Sequence, residues 1–121
     1  MKVLNLSQVP AELLTDPDFS GGKVTRQTLA GPEKGRTLSA FLVTFSKGAR
    51  NPLHTHTSDQ IIIPTAGKGI VATKDEERVV IPGDVVIFAA SEKHWHGATR
   101  DSDFSHIYVM SAGYKTEVVR G

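Results

Sequence analysis

The sequence predicts a single all-β domain, either a sandwich or a small antiparallel barrel. Short runs rich in Val, Ile, Thr and Phe recur at intervals of about ten residues, with turn residues such as Pro82-Gly83-Asp84 between them. No window shows sustained helical periodicity. The runs predict nine strands, at residues 23–29, 36–46, 60–65, 69–73, 78–81, 85–88, 94–98, 104–110 and 115–119.

The length of 121 residues corresponds to one domain. We divide it into an N-terminal arm, residues 1–22, and the β domain, residues 23–121. In the arm, leucines are spread among polar residues and Gly21-Gly22 breaks the chain, so at most one short helical turn is expected there.

Composition excludes several classes of function. The chain has no cysteine, so thiolate chemistry is excluded and any metal must be bound through nitrogen and oxygen atoms. The net charge is only +1 and the basic residues are scattered, which argues against nucleic-acid binding. The longest apolar run, Val85–Ala90, is far shorter than the ~20 residues of a membrane helix. We therefore expect a cytoplasmic protein that acts on a small molecule and binds neither nucleic acid nor membrane.

The five histidines cluster in the second half of the chain, with none before His54. His54 and His56 lie two residues apart, so an extended strand places both imidazoles on one face, and Gln60 has the same parity. His94 and His96 form a second such pair. Histidines of this kind are often surface or hydrogen-bonded groups, but two same-face pairs on strands of one small domain favour a metal site.

The spacing around these residues resembles the two conserved motifs of the cupin superfamily. Gly48 is followed after five residues by His54-Thr55-His56, then after three by Gln60 and after six by Gly67, and His94 lies eleven residues after Gly83. The resemblance covers roughly residues 36–110. It implies a small antiparallel β-barrel of the jelly-roll type, with one divalent metal ion inside.

Two local features are similar to the small bacterial cupins that act as manganese-dependent hydroxynitrile lyases. Gln60 stands where most cupins have glutamate, and residues 94–99 read His-Trp-His-Gly-Ala-Thr, with His106 in the next strand. The resemblance implies a metal held by His54, His56, Gln60 and His94. It also implies a homodimer and cleavage of a metal-bound cyanohydrin assisted by a histidine base. Manganese is the first choice, and iron, nickel, zinc, cobalt or copper would also fit such ligands.

The remaining site residues are assigned by strand parity. His106 and His96 are the candidates for proton transfer, with His106 preferred as the base, although either would also suit a hydrogen bond that orients a ligand. Tyr108 and Met110 share parity with His106 and are expected to line the cavity. Opposite them, Ala40 and Leu42 are expected to do the same. For these four residues, plain filling of the barrel is an equally valid interpretation.

Two other functions remain open from the sequence. One is an oxygenase, in which a redox-active ion activates O₂, and the other is a non-enzymatic module that binds a metal or a small molecule. An oxygenase consumes O₂, a lyase works without it, and a binding module does neither.

Overall fold

The computed structural model describes residues 1–31 and 36–120. These residues form eleven strands, and the helical structure among them is one 3₁₀ turn at Leu6–Gln8. The strands are β1 (Ala11–Leu13), β2 (Val24–Ala30), β3 (Leu38–Phe45), β4 (His54–His56), β5 (Gln60–Gly67), β6 (Gly69–Thr73), β7 (Glu77–Val80), β8 (Val86–Phe88), β9 (His94–Ala98), β10 (Phe104–Ser111) and β11 (Thr116–Val118).

The strands are arranged in two antiparallel sheets. One has six strands in the order β1-β2-β3-β10-β5-β8, and the other has five in the order β11-β4-β9-β6-β7. The alternate residues of each strand that face the other sheet form the core, whose largest fully buried apolar side chains are Phe45, Phe104 and Ile62. This architecture confirms the predicted all-β, jelly-roll barrel.

Each of the nine predicted runs overlaps an observed strand, and the structure adds two more. One is β4, which carries the first pair of histidines. The other is β1, which lies inside the predicted arm and pairs with β2 through Glu12 opposite Arg26. The 3₁₀ turn of the arm is capped by Asn5, whose side chain accepts a hydrogen bond from the Ser7 N–H group.

The register of β3 against β10 decides which residues face the cavity. His106 lies opposite Val43 and Tyr108 opposite Phe41, so the odd-numbered residues of β3 point inward. Ala40 and Leu42 lie on the opposite face of the sheet, where Leu42 is paired with Ile107. The prediction that Ala40 and Leu42 line the cavity is therefore wrong, because sequence parity within one strand does not specify the register of its partner.

The outer face of the six-stranded sheet is largely apolar. Strands β3, β5, β8 and β10 contain no Asp, Glu, Lys or Arg. We call the group of outward-facing apolar residues on these strands the outer apolar face. Its members are Leu38, Ala40, Ile61, Ile63, Ile87, Ile107 and Val109, whereas Leu42 of the same face is already buried within the chain.

Residues 1–31 and 36–120 contain no helix of the length and apolar character required to cross a bilayer.

Candidate metal centre

Three strands bring the predicted metal ligands together. His54 and His56 project inward from β4, His94 lies opposite His54 on β9, and Gln60 begins β5 in the other sheet. One ligand atom from each of the three histidines lies within 4.8 Å of the other two. All four side chains are buried, and His94 and Gln60 are only 1% and 2% exposed. The four residues predicted as ligands therefore form one cluster between the sheets.

Backbone carbonyls fix the orientation of two of these imidazoles. His54 Nδ1 donates to the Pro52 carbonyl at 2.6 Å, and His94 Nδ1 donates to the Glu92 carbonyl at 2.8 Å. With the proton on Nδ1, each Nε2 presents a lone pair to the interior of the cluster. Thr116 of β11 holds the third imidazole through a contact of 2.8 Å with His56 Nδ1. This support of ligand rings from outside is typical of metal-binding histidines.

The atoms at the centre of the cluster are spaced as ligands of one ion. His54 Nε2 lies 3.1 Å from His56 Nε2, and His94 Nε2 lies 3.0 Å from Gln60 Oε1. The latter two atoms are both acceptors, so they lack a proton to share and a cation between them would satisfy both. Metal–ligand bonds of about 2.1 Å place neighbouring ligands at right angles about 3 Å apart. The donor set therefore fits a divalent metal ion.

Burial keeps these imidazoles neutral. Loss of solvation, reinforced by the neighbouring His54, lowers the pKa of His56 to about 3 and that of His94 to about 4. Burial also lowers the pKa of His54. Only a neutral imidazole offers a lone pair to a metal, so a cation does not have to displace protons at neutral pH.

A second pair of histidines lies beside the cluster, and these are the two predicted for proton transfer. His106 Nε2 is 3.2 Å from His96 Nδ1, and the other ring nitrogen of His96 is 3.2 Å from Asn51 Nδ2. His96 lines the cavity, whereas His106 is 0% exposed and lies behind His96, against Phe45. Burial lowers the pKa of His106 to about 3 and that of His96 well below its usual value.

The cavity in front of the cluster has a volume of about 300 Å³, at the small end of the range for ligand pockets. Tyr108 and Met110, both predicted, are among its lining residues. Val43 and Phe45 take the places expected for Ala40 and Leu42. The walls are mainly apolar and aromatic, and the remaining lining residues include Leu14, Phe19, Val24, Arg26, Asn51 and Tyr114.

Sequence reasoning missed Arg26 and Asn51, which are both polar residues of the cavity wall. Arg26 shares inward parity with Val24 on β2, and its Nη2 atom donates to Glu12 at 2.9 Å. The alternation of inward and outward positions along β2, counted from Val24, would have identified Arg26 as an inward residue. Asn51 lies in the loop between β3 and β4, where no alternation pattern applies, so only its nearness to the His54 motif was available as a signal.

The family model for a cupin domain matches residues 41–110, which include all four candidate ligands. This chain is a cupin. The cupin is 44% identical over 96 residues to a protein of Granulicella tundricola named (R)-mandelonitrile lyase, with 77% of this chain and 72% of that protein aligned. The predicted resemblance to small bacterial hydroxynitrile lyases is thereby confirmed.

Solved structures support the same family. The cupin superimposes on a cupin-like protein from Thermotoga maritima with a TM-score of 0.85 and 29% identity, over 95% of this chain and 88% of that one. It superimposes on the polyketide cyclase RemF from Streptomyces resistomycificus with a TM-score of 0.88 and 18% identity, over 100% and 87% of the two chains. The second likeness concerns the fold alone.

Proposed function

We propose that this cupin is a manganese-dependent hydroxynitrile lyase, which cleaves a cyanohydrin into a carbonyl compound and hydrogen cyanide. The observation that carries the proposal is the meeting of a metal-ligand cluster and an additional histidine in one small cavity, lined by His54, His56, Gln60 and His96. The likeness to the (R)-mandelonitrile lyase of Granulicella tundricola supports this reaction class.

The ligand set favours stabilisation of negative charge. Three neutral imidazoles and one neutral amide do not offset the charge of a divalent ion, so a bound ion would act as a strong Lewis acid toward an anionic oxygen. A ligand set of this kind also accepts iron, nickel, zinc, cobalt or copper, and manganese is proposed because of the resemblance. Quantifying the metal in protein purified without a metal-chelating tag tests this choice.

The protein's own contribution is to move one proton and to hold the substrate. In the cleavage, the O–H bond and the C–C bond of the cyanohydrin break, the O–H electron pair forms the carbonyl, and the C–C pair leaves on cyanide. His106, the base preferred from the sequence, is fully buried and is not among the residues that line the cavity, so we propose that a ring nitrogen of His96 instead accepts the hydroxyl proton and returns it to cyanide. His106 supports His96 from behind, and the wall formed by Val43, Phe45 and Met110 suits the apolar part of the substrate.

The test is anaerobic cleavage of mandelonitrile by manganese-reconstituted protein, followed as release of benzaldehyde and cyanide. We expect cleavage by the wild-type protein and loss of both metal and cleavage in His94→Ala. The matched control is Trp95→Phe, because Trp95 is the next residue of β9, points away from the cluster and stacks under Arg50 at 3.7 Å. That variant should keep its metal and its activity.

Parallel measurements separate the other two functions. Consumption of O₂ without anaerobic cleavage would replace the lyase by an oxygenase. Stoichiometric metal binding with neither activity, across a panel of aliphatic and aromatic cyanohydrins, would instead indicate a binding module.

A further inference from the structure

The side chain of Asn51 is held against His96 from two directions. Its Oδ1 atom accepts a hydrogen bond from the backbone N–H of His96 at 2.8 Å, and its Nδ2 atom lies 3.2 Å from His96 Nε2. The backbone N–H of Asn51 also donates to the His96 carbonyl at 3.1 Å. Asn51 is only 9% exposed, so water does not compete freely for these groups. The two residues therefore form one rigid unit.

This arrangement determines which nitrogen of His96 carries the proton. A backbone N–H only donates, so the amide oxygen must face it and the amide NH₂ must face the imidazole. The NH₂ group also only donates, so His96 Nε2 has to accept. In a neutral imidazole the proton then resides on Nδ1.

The same logic extends to the next ring. The Nδ1–H group of His96 points to His106 Nε2 at 3.2 Å, which must accept. The proton of His106 is then on its Nδ1, 3.3 Å from the Ile107 carbonyl. One amide at the cavity wall thus sets the direction of a chain of hydrogen bonds that ends on the backbone of β10.

We propose that Asn51 is a positioning residue that fixes His96 in the Nδ1–H tautomer, with Nε2 as its proton-accepting atom on the cavity side. The catalytic consequence rests on the proposed function. A substrate hydroxyl that replaces the 3.2 Å contact with Asn51 meets a lone pair on His96, as a base requires, and not a competing N–H group.

The experiment is Asn51→Asp. Aspartate has the same shape and still accepts from the backbone N–H of His96, but it presents a second acceptor to Nε2 in place of a donor. We expect Nε2 of His96 to be unprotonated in the wild-type protein and protonated in the variant. Long-range ¹H–¹⁵N correlation spectra of histidine-labelled, zinc-loaded protein distinguish the two states directly.

The matched control is Asn5→Asp. Asn5 also accepts from a backbone N–H through its side chain, but it lies on the exposed 3₁₀ turn of the arm. The variant makes the same chemical change far from the histidines and should leave the His96 spectrum unchanged.

Two results would overturn the proposal. One is the finding that His96 of the wild-type protein carries its proton on Nε2. This measurement does not depend on whether the variant folds. The other is an Asn51→Asp protein in which the His96 nitrogen shifts are those of the wild type. Cleavage of cyanohydrins should also fall by ~10²-fold or more in Asn51→Asp, the usual scale for a disabled general base. Absence of cleavage in the wild type would contradict the proposed function, and the spectra would still decide the role of Asn51.

Discussion

At residue 60 the chain has a neutral amide within a buried cluster of neutral imidazoles. Gln60 Oε1 faces His94 Nε2 at 3.0 Å, and the side chain is 2% exposed. The charge of any ion bound there is therefore offset by none of the four predicted ligands. This feature should govern the affinity of the site for anions.

Gln60→Glu tests that inference. A carboxylate should retain or tighten cation binding and reduce the charge left on the ion. Two unit charges 4 Å apart interact by about 4 kcal/mol at an effective dielectric constant of ~20, so azide or cyanide affinity should fall by at least ~10-fold. Anion titration of the manganese-loaded proteins measures it. Equal anion affinity, with metal still present, would place residue 60 outside the ligand set.

His106 gives a prediction for acid stability. In the unfolded chain its pKa is near 6.5, whereas burial lowers the pKa to about 3 in the folded protein. Between these values the unfolded chain binds a proton that the folded protein does not, so this residue's stabilising contribution is present above about pH 6.5 and is lost as the pH falls. From pH 7 to pH 5 the free energy of unfolding should fall by about 2 kcal/mol on account of His106 alone.

The variant His106→Leu should remove that part of the pH dependence. Urea unfolding of metal-free protein at pH 5 and pH 7 should show a difference between the two pH values about 2 kcal/mol smaller than in the wild type. The quantity to compare is the change in unfolding free energy between the two pH values, because the variant also loses the hydrogen bond to His96 and is less stable at both. An unchanged pH dependence would mean that His106 titrates normally.

The metal-ligand group was predictable from sequence because two of its members are neighbours on one strand and the other two match a family motif. His54 and His56 share a face on any extended strand, and the spacing to Gln60 and His94 matches a family motif. The β3 wall of the cavity was not predictable, because it depends on how β3 pairs with β10. A shift of one residue in the pairing of β3 with β10 would place Leu42 instead of Val43 opposite His106. Nothing within either strand specifies that pairing.

At the scale of elements, the apolar runs of the sequence located nine strands and missed two, β1 and the three-residue β4, whose inward side chains are histidines. The three residues of β1 are all exposed, so Ala11–Leu13 has no apolar alternation to detect. It pairs at the sheet edge through backbone hydrogen bonds and through the Arg26–Glu12 ion pair at 2.9 Å.

The register shift between β10 and β5 does not turn His106 outward. The unpaired extra residue is Thr65 on β5, whereas β10 alternates between buried and more exposed positions without interruption.

The contact between β9 and the segment that precedes β4 depends on Gly97. A Cβ atom at that position would lie 2.4 Å from the Ala49 carbonyl oxygen and 2.7 Å from Arg50 Cα. Both atoms belong to the backbone and cannot rotate away. The same segment continues into Asn51, so the lack of a side chain at residue 97 allows Asn51 to reach His96.

We therefore expect Gly97→Ala to destabilise the protein by about 1–3 kcal/mol, the usual cost of overpacking, and to displace Asn51. Urea unfolding measures the first effect and the ¹⁵N shifts of His96 the second. The control is Gly31→Ala, whose Cβ would meet one side chain among the described residues, the Thr28 methyl group at 3.1 Å. Equal stability of the two variants would show that the segment adjusts freely.

At the scale of the whole molecule, the outer apolar face is the feature that a single chain does not explain. Ile87 is 68% exposed and Leu38 58% exposed on a sheet whose β3, β5, β8 and β10 carry no formal charge. We propose that this face is the interface of the homodimer that the family resemblance implies, because an uncharged apolar surface is complementary to a second copy of itself.

Ile87→Lys should convert the proposed dimer to a monomer, since it places a charge within an apolar contact. Light scattering during gel filtration measures the mass. The control is Val79→Lys, which replaces a side chain of similar exposure, 62%, on β7 of the other sheet. A wild-type monomer, or a dimer that survives Ile87→Lys, would contradict this interface.

The placement of the candidate ligands across both sheets would also make a bound metal ion a cross-link in the fold. Strand β4 pairs with β9 at a single register position, His54 opposite His94, while Gln60 belongs to the opposite sheet. Separation of β4 from β9 and β5 pulls the ligands apart. A bound ion should therefore raise the free energy of this local opening by RT ln(1 + [L]/Kd), about 2.7 kcal/mol at 100 Kd. Metal occupancy should thus slow amide hydrogen exchange in β4, β11 and the start of β9 by ~100-fold and leave the exposed edge strand β1 unaffected. Mass spectrometry of hydrogen exchange with and without metal would locate the protected strands, and the measurement requires no substrate.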